Sequence, residues 1–238
     1  MVDIVAAIYA TAYFAAQMGL LIGFSPVRRV AKLGAFAAAA AWLAMVVIAY
    51  TVGGLRPGVL GPVPVNLLPF ILLLALLFGS WFLLPQVRHA LISVPLPALV
   101  AVHAGRVGGL FFLILYFDGR LSAPFAPAAA VGDMITGAVA LVLVPALALG
   151  FNLRSLWLKV WNAFGALDLV VAVTLAVLSA PGTPFRVFTE GPGTQIMAML
   201  PWIFVPAMLV PIDFLVHFTI ATKLKSVPSA TQVLAMAN

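Results

Sequence analysis

Five ionisable residues interrupt long apolar stretches beyond residue 100 of this sequence. They are Arg106, Asp133, Asp168, Asp213 and His217. An ionisable side chain within hydrocarbon costs several kcal/mol unless it is paired or faces water, so such residues point to a functional site. The spacing of polar residues indicates which of them face the same way, because residues three or four positions apart lie on one face of a helix. This holds for His103 with Arg106 and for Asp213 with His217.

Charge balance defines what these residues could do together. Arg106 remains protonated even when buried, so it needs a carboxylate, and Asp133 and Asp168 are nearest to it in predicted depth. Three deep aspartates face one arginine, so at least one must be protonated, bind a cation or contact water. These groups therefore predict a polar site that binds or transports a small solute or an ion. A buried ion pair that only fixes helix packing is an alternative of equal weight.

The composition indicates what surrounds these residues. Of 238 residues, 65% are hydrophobic and only 8% are charged, with a mean hydropathy of +1.22. A soluble domain has about a quarter of its residues charged, so we expect an all-α integral membrane protein in contact with the lipid bilayer. The absence of cysteine excludes disulfides and thiol chemistry. The net charge of +6 resides in short loops, which indicates topology and no nucleic-acid partner.

Apolar runs separated by Pro, Gly or charged residues predict a seven-helix transmembrane bundle that forms a single domain over residues 1–238. The predicted spans cover about 4–24, 33–53, 66–85, 96–117, 127–149, 160–180 and 196–220. Pro95 and Pro124 are expected to mark helix starts. In the last span, Pro201, Pro206 and Pro211 each remove a helical hydrogen bond and free a carbonyl group.

Basic residues in alternate loops predict the orientation of the bundle. One side carries eight of them and the other side carries three. The side with eight has Arg28, Arg29, Lys32, Arg88, Arg154, Lys159, Lys223 and Lys225, and the other side has Arg56, Arg120 and Arg186. We therefore expect the amino terminus outside and the carboxyl terminus in the cytoplasm.

Two further functions compete with solute or ion binding. In the first, His103 and His217 hold haem b or a quinone in a redox subunit, although the predicted spans place these histidines about 8 Å apart in depth. In the second, the chain is a structural or accessory subunit of a membrane complex. Nucleotide-binding, serine-hydrolase and zinc-hydrolase motifs are missing, so the sequence favours no enzymatic activity, no catalytic residues and no metal site. Apart from haem b or a quinone, the sequence indicates no cofactor, and it does not indicate an oligomeric state or a partner protein.

A resemblance covers about residues 95–220. The segment His103-Ala-Gly-Arg-Val-Gly-Gly-Leu-Phe-Phe112 is followed by Gly132-Asp133, by Trp161-Asn162-Ala-Phe-Gly-Ala-Leu-Asp168, and by the prolines of the last span. This pattern resembles an uncharacterised family of bacterial multi-pass inner-membrane proteins. The resemblance implies a location in the bacterial inner membrane and supplies no activity. Members of that family tend to have an aromatic residue where His103 stands, which argues against a haem ligand at this position.

Overall fold

A computed structural model describes residues 1–56, 58–59, 61, 63–151 and 155–225. All regular structure within these ranges is helical. The α-helices are α1 Val2–Gly23, α2 Arg29–Thr51, α3 Leu67–Leu83, α4 Pro85–Ser93, α5 Leu96–Val102, α6 Leu110–Phe117, α7 Phe125–Ala148, α8 Ser155–Leu178 and α9 Val210–Lys225. Arg154, which contributed to the predicted orientation, lies outside the described residues.

Six helical stretches within the described residues are long and apolar enough to cross a membrane. The third predicted span differs from the expectation, because α3 ends after 17 residues and α4 leaves it at an angle of 97°. Leu84 is extended and Pro85 begins α4, so the helix cannot continue straight through this point. The described residues therefore contain six candidate spans, or seven if α3 and α4 together form one.

The fourth predicted span is continuous but not uniform. Leu96–Phe117 consists of α5, a 3₁₀ segment at His103–Gly109 and α6. A stretch of 3₁₀ helix in mid-span turns its side chains relative to a regular α-helix, and it often marks a functional position. As predicted, Pro95 immediately precedes α5 and Pro124 immediately precedes α7.

The last predicted span starts later and ends later than the sequence indicated. Gln195–Ala198 forms a 3₁₀ turn, and the membrane-length helix runs from Val205 to Lys225 through a π turn at Val205–Leu209. Pro211 has no N–H to offer the carbonyl of Ala207, and the indole Nε1 of Trp42 donates to that oxygen at 2.9 Å. The freed carbonyl therefore joins α2 to the last span.

Two polar contacts show which helix ends lie together. Arg120 follows α6 and donates to the carboxylate of Asp3 in α1 at 2.9 and 3.1 Å. Trp202, which precedes the last span, donates to the same carboxylate at 2.8 Å. The start of α1, the end of α6 and the start of the last span therefore share one face. The end of α1, the start of α2, the start of α8 and the end of α9 lie at the opposite face.

Candidate functional site

Arg106 lies at the centre of a buried network because it stands in the 3₁₀ segment that packs against α7. Its Nε donates to Asp133 of α7 at 2.6 Å, and its Nη2 donates to Asp168 of α8 at 2.5 Å. Nη1 donates to the carbonyl oxygen of Gly165 at 3.1 Å. Only 1% of the Arg106 side chain is exposed, so these bonds replace water around the guanidinium. The predicted pairing of Arg106 with both aspartates is present in the structure.

His217 of α9 completes the arginine network. Its Nε2 lies 3.0 Å from Nη1 of Arg106, and a guanidinium can only donate. Nε2 is therefore the acceptor, which leaves the ring proton on Nδ1. Nδ1 lies 2.9 Å from Oδ1 of Asn162, and the amide of Asn162 donates to the carbonyl oxygen of His217 at 3.1 Å. This arrangement specifies a neutral imidazole in one tautomer.

His103 and His217 stack face to face, with ring centroids 3.8 Å apart and planes inclined by 19°. The predicted difference of about 8 Å in depth was wrong, because the last span is shifted toward the carboxyl terminus. Two axial haem ligands must point at an iron from opposite sides of a porphyrin. Stacked rings leave no room for a porphyrin between them, and Nε2 of His217 already accepts from Arg106. The residues present therefore do not fit a haem held by these two histidines.

Asp213 occupies a separate half of the site and is held by helix α1. Tyr13 donates to its two carboxylate oxygens at 3.2 and 3.3 Å, and the amide of Gln17 donates to Oδ1 at 3.0 Å. Nδ1 of His103 is 3.4 Å from the same Oδ1. Asp213 is 3% exposed, and both Gln17 and His103 are completely buried. The side chains that donate hydrogen bonds to Asp213 are therefore neutral, and the charge of Arg106 acts on Asp213 only through space.

Two side chains that contact Asp213 carry unsatisfied polar atoms. Among the described residues, Oε1 of Gln17 and both ring nitrogens of His103 have no hydrogen-bond partner. Buried polar groups in proteins are nearly always paired, so each exception needs an explanation such as an ion, a proton or a water molecule. Among the described residues, three of the five such atoms belong to the two side chains Gln17 and His103, which both contact Asp213.

Glycines allow the helices to approach this closely. A Cβ atom at Gly105 would overlap the ring of Tyr13, and one at Gly132 would overlap the carboxylate of Asp168. A Cβ atom at Gly165 would lie 2.6 Å from Cε1 of His217. Small residues in and beside the segment that carries Arg106 therefore allow neighbouring helices to approach, and α1 is one of these helices.

A cavity of about 60 Å³ runs beside α1 toward the site. Ala6 and Tyr9 line it on one side, and Arg106, Asp133 and Asp213 contribute to its wall. This volume is enough for a few water molecules. The salt bridge between Asp3 and Arg120 lies at the same end of the molecule, where Trp202 belongs both to the cavity wall and to the Asp3 contact.

The structure brings all five predicted residues into one region but divides them into two groups. The first group is Arg106 with Asp133, Asp168 and His217, and the second is Asp213 with its neighbours. Sequence reasoning missed Tyr13, Gln17 and Asn162. The spacing of Tyr9, Tyr13 and Gln17 by four residues puts them on one face of α1, and this was the available signal.

The comparison with protein families gives a match over most of the chain. Residues 62–225 match the family described as a domain of unknown function, DUF8737. The chain therefore belongs to this family, which agrees with the predicted resemblance to an uncharacterised family. No curated protein and no solved structure matches the chain. Helix α1, with Tyr13 and Gln17, lies outside the matched residues.

Proposed function

We propose that this DUF8737 family member is an integral membrane protein that binds a proton or a small cation at Asp213 and moves it across the bilayer. The observation that carries the proposal is the buried carboxylate of Asp213 beside Oε1 of Gln17, which makes no hydrogen bond within the described residues, and 3.4 Å from Nδ1 of His103, whose only contact there is this long one. A proton shared between Asp213 and His103 would satisfy two of these three groups. A small cation would be coordinated by the carboxylate and amide oxygens.

Charge balance supports the same function. Arg106 already faces Asp133 and Asp168, so Asp213 adds a further negative charge that the arginine does not contact. An uncompensated charge inside a low-dielectric region is expensive, and taking up a proton or cation removes it. The cavity beside α1 supplies a route to Asp213 from one face of the molecule.

The proposed orientation follows from the loops. If α3 and α4 act together as one span, the chain crosses the membrane seven times, with the amino terminus outside and the carboxyl terminus in the cytoplasm. The Lys and Arg bias supports this orientation, and the resemblance to bacterial multi-pass proteins supports a location in the bacterial inner membrane. A reporter fused after Asn238 should be active only if it works in the cytoplasm. Activity of an exclusively periplasmic reporter at that position would contradict the orientation.

Liposomes containing the purified protein provide the test of transport. A pH-sensitive dye trapped inside should report proton entry after a voltage is imposed, and separate vesicles should report sodium or potassium flux. Asp213→Asn should abolish whichever flux, of protons, sodium or potassium, the wild type shows, while the protein remains folded. Asp118→Asn removes an exposed carboxylate after α6 and should leave flux unchanged. Absence of proton and cation flux, together with no thermal shift on addition of either cation, would refute the proposal.

A packing role is the second candidate for the arginine half of the network. Four of the five N–H groups of Arg106 face acceptors at hydrogen-bond distance, so this group needs no ligand to be satisfied. Such a network would order helices α7, α8 and α9 around the 3₁₀ segment. This role can coexist with ion binding at Asp213, and it alone would suit a structural subunit.

A further inference from the structure

A second cavity lies between α3, α8 and α9. Its volume is about 500 Å³. Phe78, Phe214 and Phe218 form much of its wall, and Asn162 and His217 also contribute. The rings of Phe78 and Phe218 meet edge to face, with their centroids 5.4 Å apart.

Small side chains create the space in this cavity. Ala163, Ala166 and Ala221 lie in its wall, and each would narrow it if replaced by a larger residue. The helices α8 and α9 contact one another directly, so the space is a groove along their junction. Because most of its wall is apolar, the groove suits a hydrocarbon chain better than a hydrated ion.

Positive charge marks one end of the groove. Lys159 at the start of α8 and Lys225 at the end of α9 both contribute to the wall and both are exposed. Within the part of the chain that the structure describes, no acidic residue lines this groove. An apolar groove with a cationic end has the complementary chemistry of an anionic amphiphile.

We propose that this groove binds one anionic phospholipid, with its head group at Lys159 and Lys225 and an acyl chain along the three phenylalanines. The lysines lie at the face that carries Arg28 and Arg29, which the proposed orientation places in the cytoplasm. The cytoplasmic leaflet supplies anionic lipid at that depth. The inference rests on the proposed membrane location but not on ion transport.

Native mass spectrometry of the full chain in detergent tests this site with two lipids, dioleoylphosphatidylglycerol and dioleoylphosphatidylcholine. The wild type should retain one phosphatidylglycerol more tightly than phosphatidylcholine. Each basic residue near an anionic lipid contributes about fivefold to affinity, so Lys159→Gln with Lys225→Gln should remove the preference. Ala221→Phe should weaken the retention of both lipids, because it fills the groove and leaves the charges in place.

Arg28→Gln with Arg29→Gln is the matched control. It removes the same charge from the same face at exposed positions outside the groove, and the preference for phosphatidylglycerol should persist. Equal retention of the two lipids by the wild type would overturn the proposal. Equal loss in the lysine and arginine double variants would also overturn it, because the attraction would then be diffuse. Flux in liposomes is measured separately, so failure of transport and failure of lipid binding are distinguishable.

Discussion

The two halves of the polar site solve the problem of a buried carboxylate in different ways. Asp133 and Asp168 face the guanidinium of Arg106 at 2.6 and 2.5 Å. Asp213 instead receives hydrogen bonds from the neutral side chains of Tyr13 and Gln17, and unsatisfied atoms remain beside it. A satisfied ion pair resists change, whereas an incompletely satisfied carboxylate can exchange a proton or cation. This difference is the basis of the proposal that the first half packs the helices and the second half binds an ion.

Removal of the central cation should produce the largest effect. Arg106→Met leaves Asp133 and Asp168 buried without a partner, and breaking a buried ion pair typically costs about 3–5 kcal/mol. We expect the Tm of the purified protein to fall on the order of 10 °C. Arg120→Met is the control, because its salt bridge with Asp3 is substantially exposed and is worth at most about 1 kcal/mol. Equal losses in the two variants would contradict a central role for Arg106.

Neutralising one aspartate in each half tests the division directly. Asp168→Asn removes a charge-assisted bond to Arg106 and should lower the free energy of unfolding by about 1.5–3 kcal/mol. Asp213→Asn retains an acceptor for Tyr13 and Gln17, so we expect a change within about 1 kcal/mol together with loss of flux. Thermal unfolding and liposome flux measure the two properties on the same preparations. The comparison fails if Asp213→Asn is the more destabilising change.

The close approach of α7 and α8 can be probed without altering a charge. Gly132→Ala places a methyl group where the carboxylate of Asp168 lies, and overpacking of this kind costs about 1–3 kcal/mol. Gly79→Ala in α3 meets no atom within 4 Å and should be neutral or stabilising by up to about 1 kcal/mol. Chemical denaturation of both variants checks the expectation. A stable Gly132→Ala protein would show that Asp168 can move away at little cost.

The smallest effects on stability should come from helix α1. Tyr13→Phe and Gln17→Leu each remove a neutral donor to Asp213, and hydrogen bonds between membrane helices average about 0.6 kcal/mol. We therefore expect Tm to change little while flux falls, because the carboxylate loses the groups that position it. Tyr50→Phe, at the end of α2, is the control. Unchanged flux in both α1 variants would indicate that Asp213 works without these donors.

The sequence predicted the group around Arg106 better than the group around Asp213. Charge alone requires a partner for Arg106, and depth along the helices was enough to select Asp133 and Asp168. Tyr13 and Gln17 carry no charge and lie in an apolar helix distant in sequence, so their role depends on which helices touch. The position of His217 was misjudged because the prolines delay the start of the last helix to Val205. Such a delay depends on tertiary contacts, including the Trp42 bond to Ala207.

The hydrogen bonds from Arg106 through His217 to Asn162 all run in one direction. The guanidinium gives its hydrogen to the imidazole, the imidazole gives its hydrogen to the side-chain amide, and that amide gives its hydrogen to a backbone carbonyl. Arginine does not release its proton at any physiological pH, so no charge can pass along this series. This series therefore offers no route for a proton from Arg106, in the wall of the first cavity, to Asn162, in the wall of the second. Under the proposed function, the proton is exchanged at Asp213 and His103 instead.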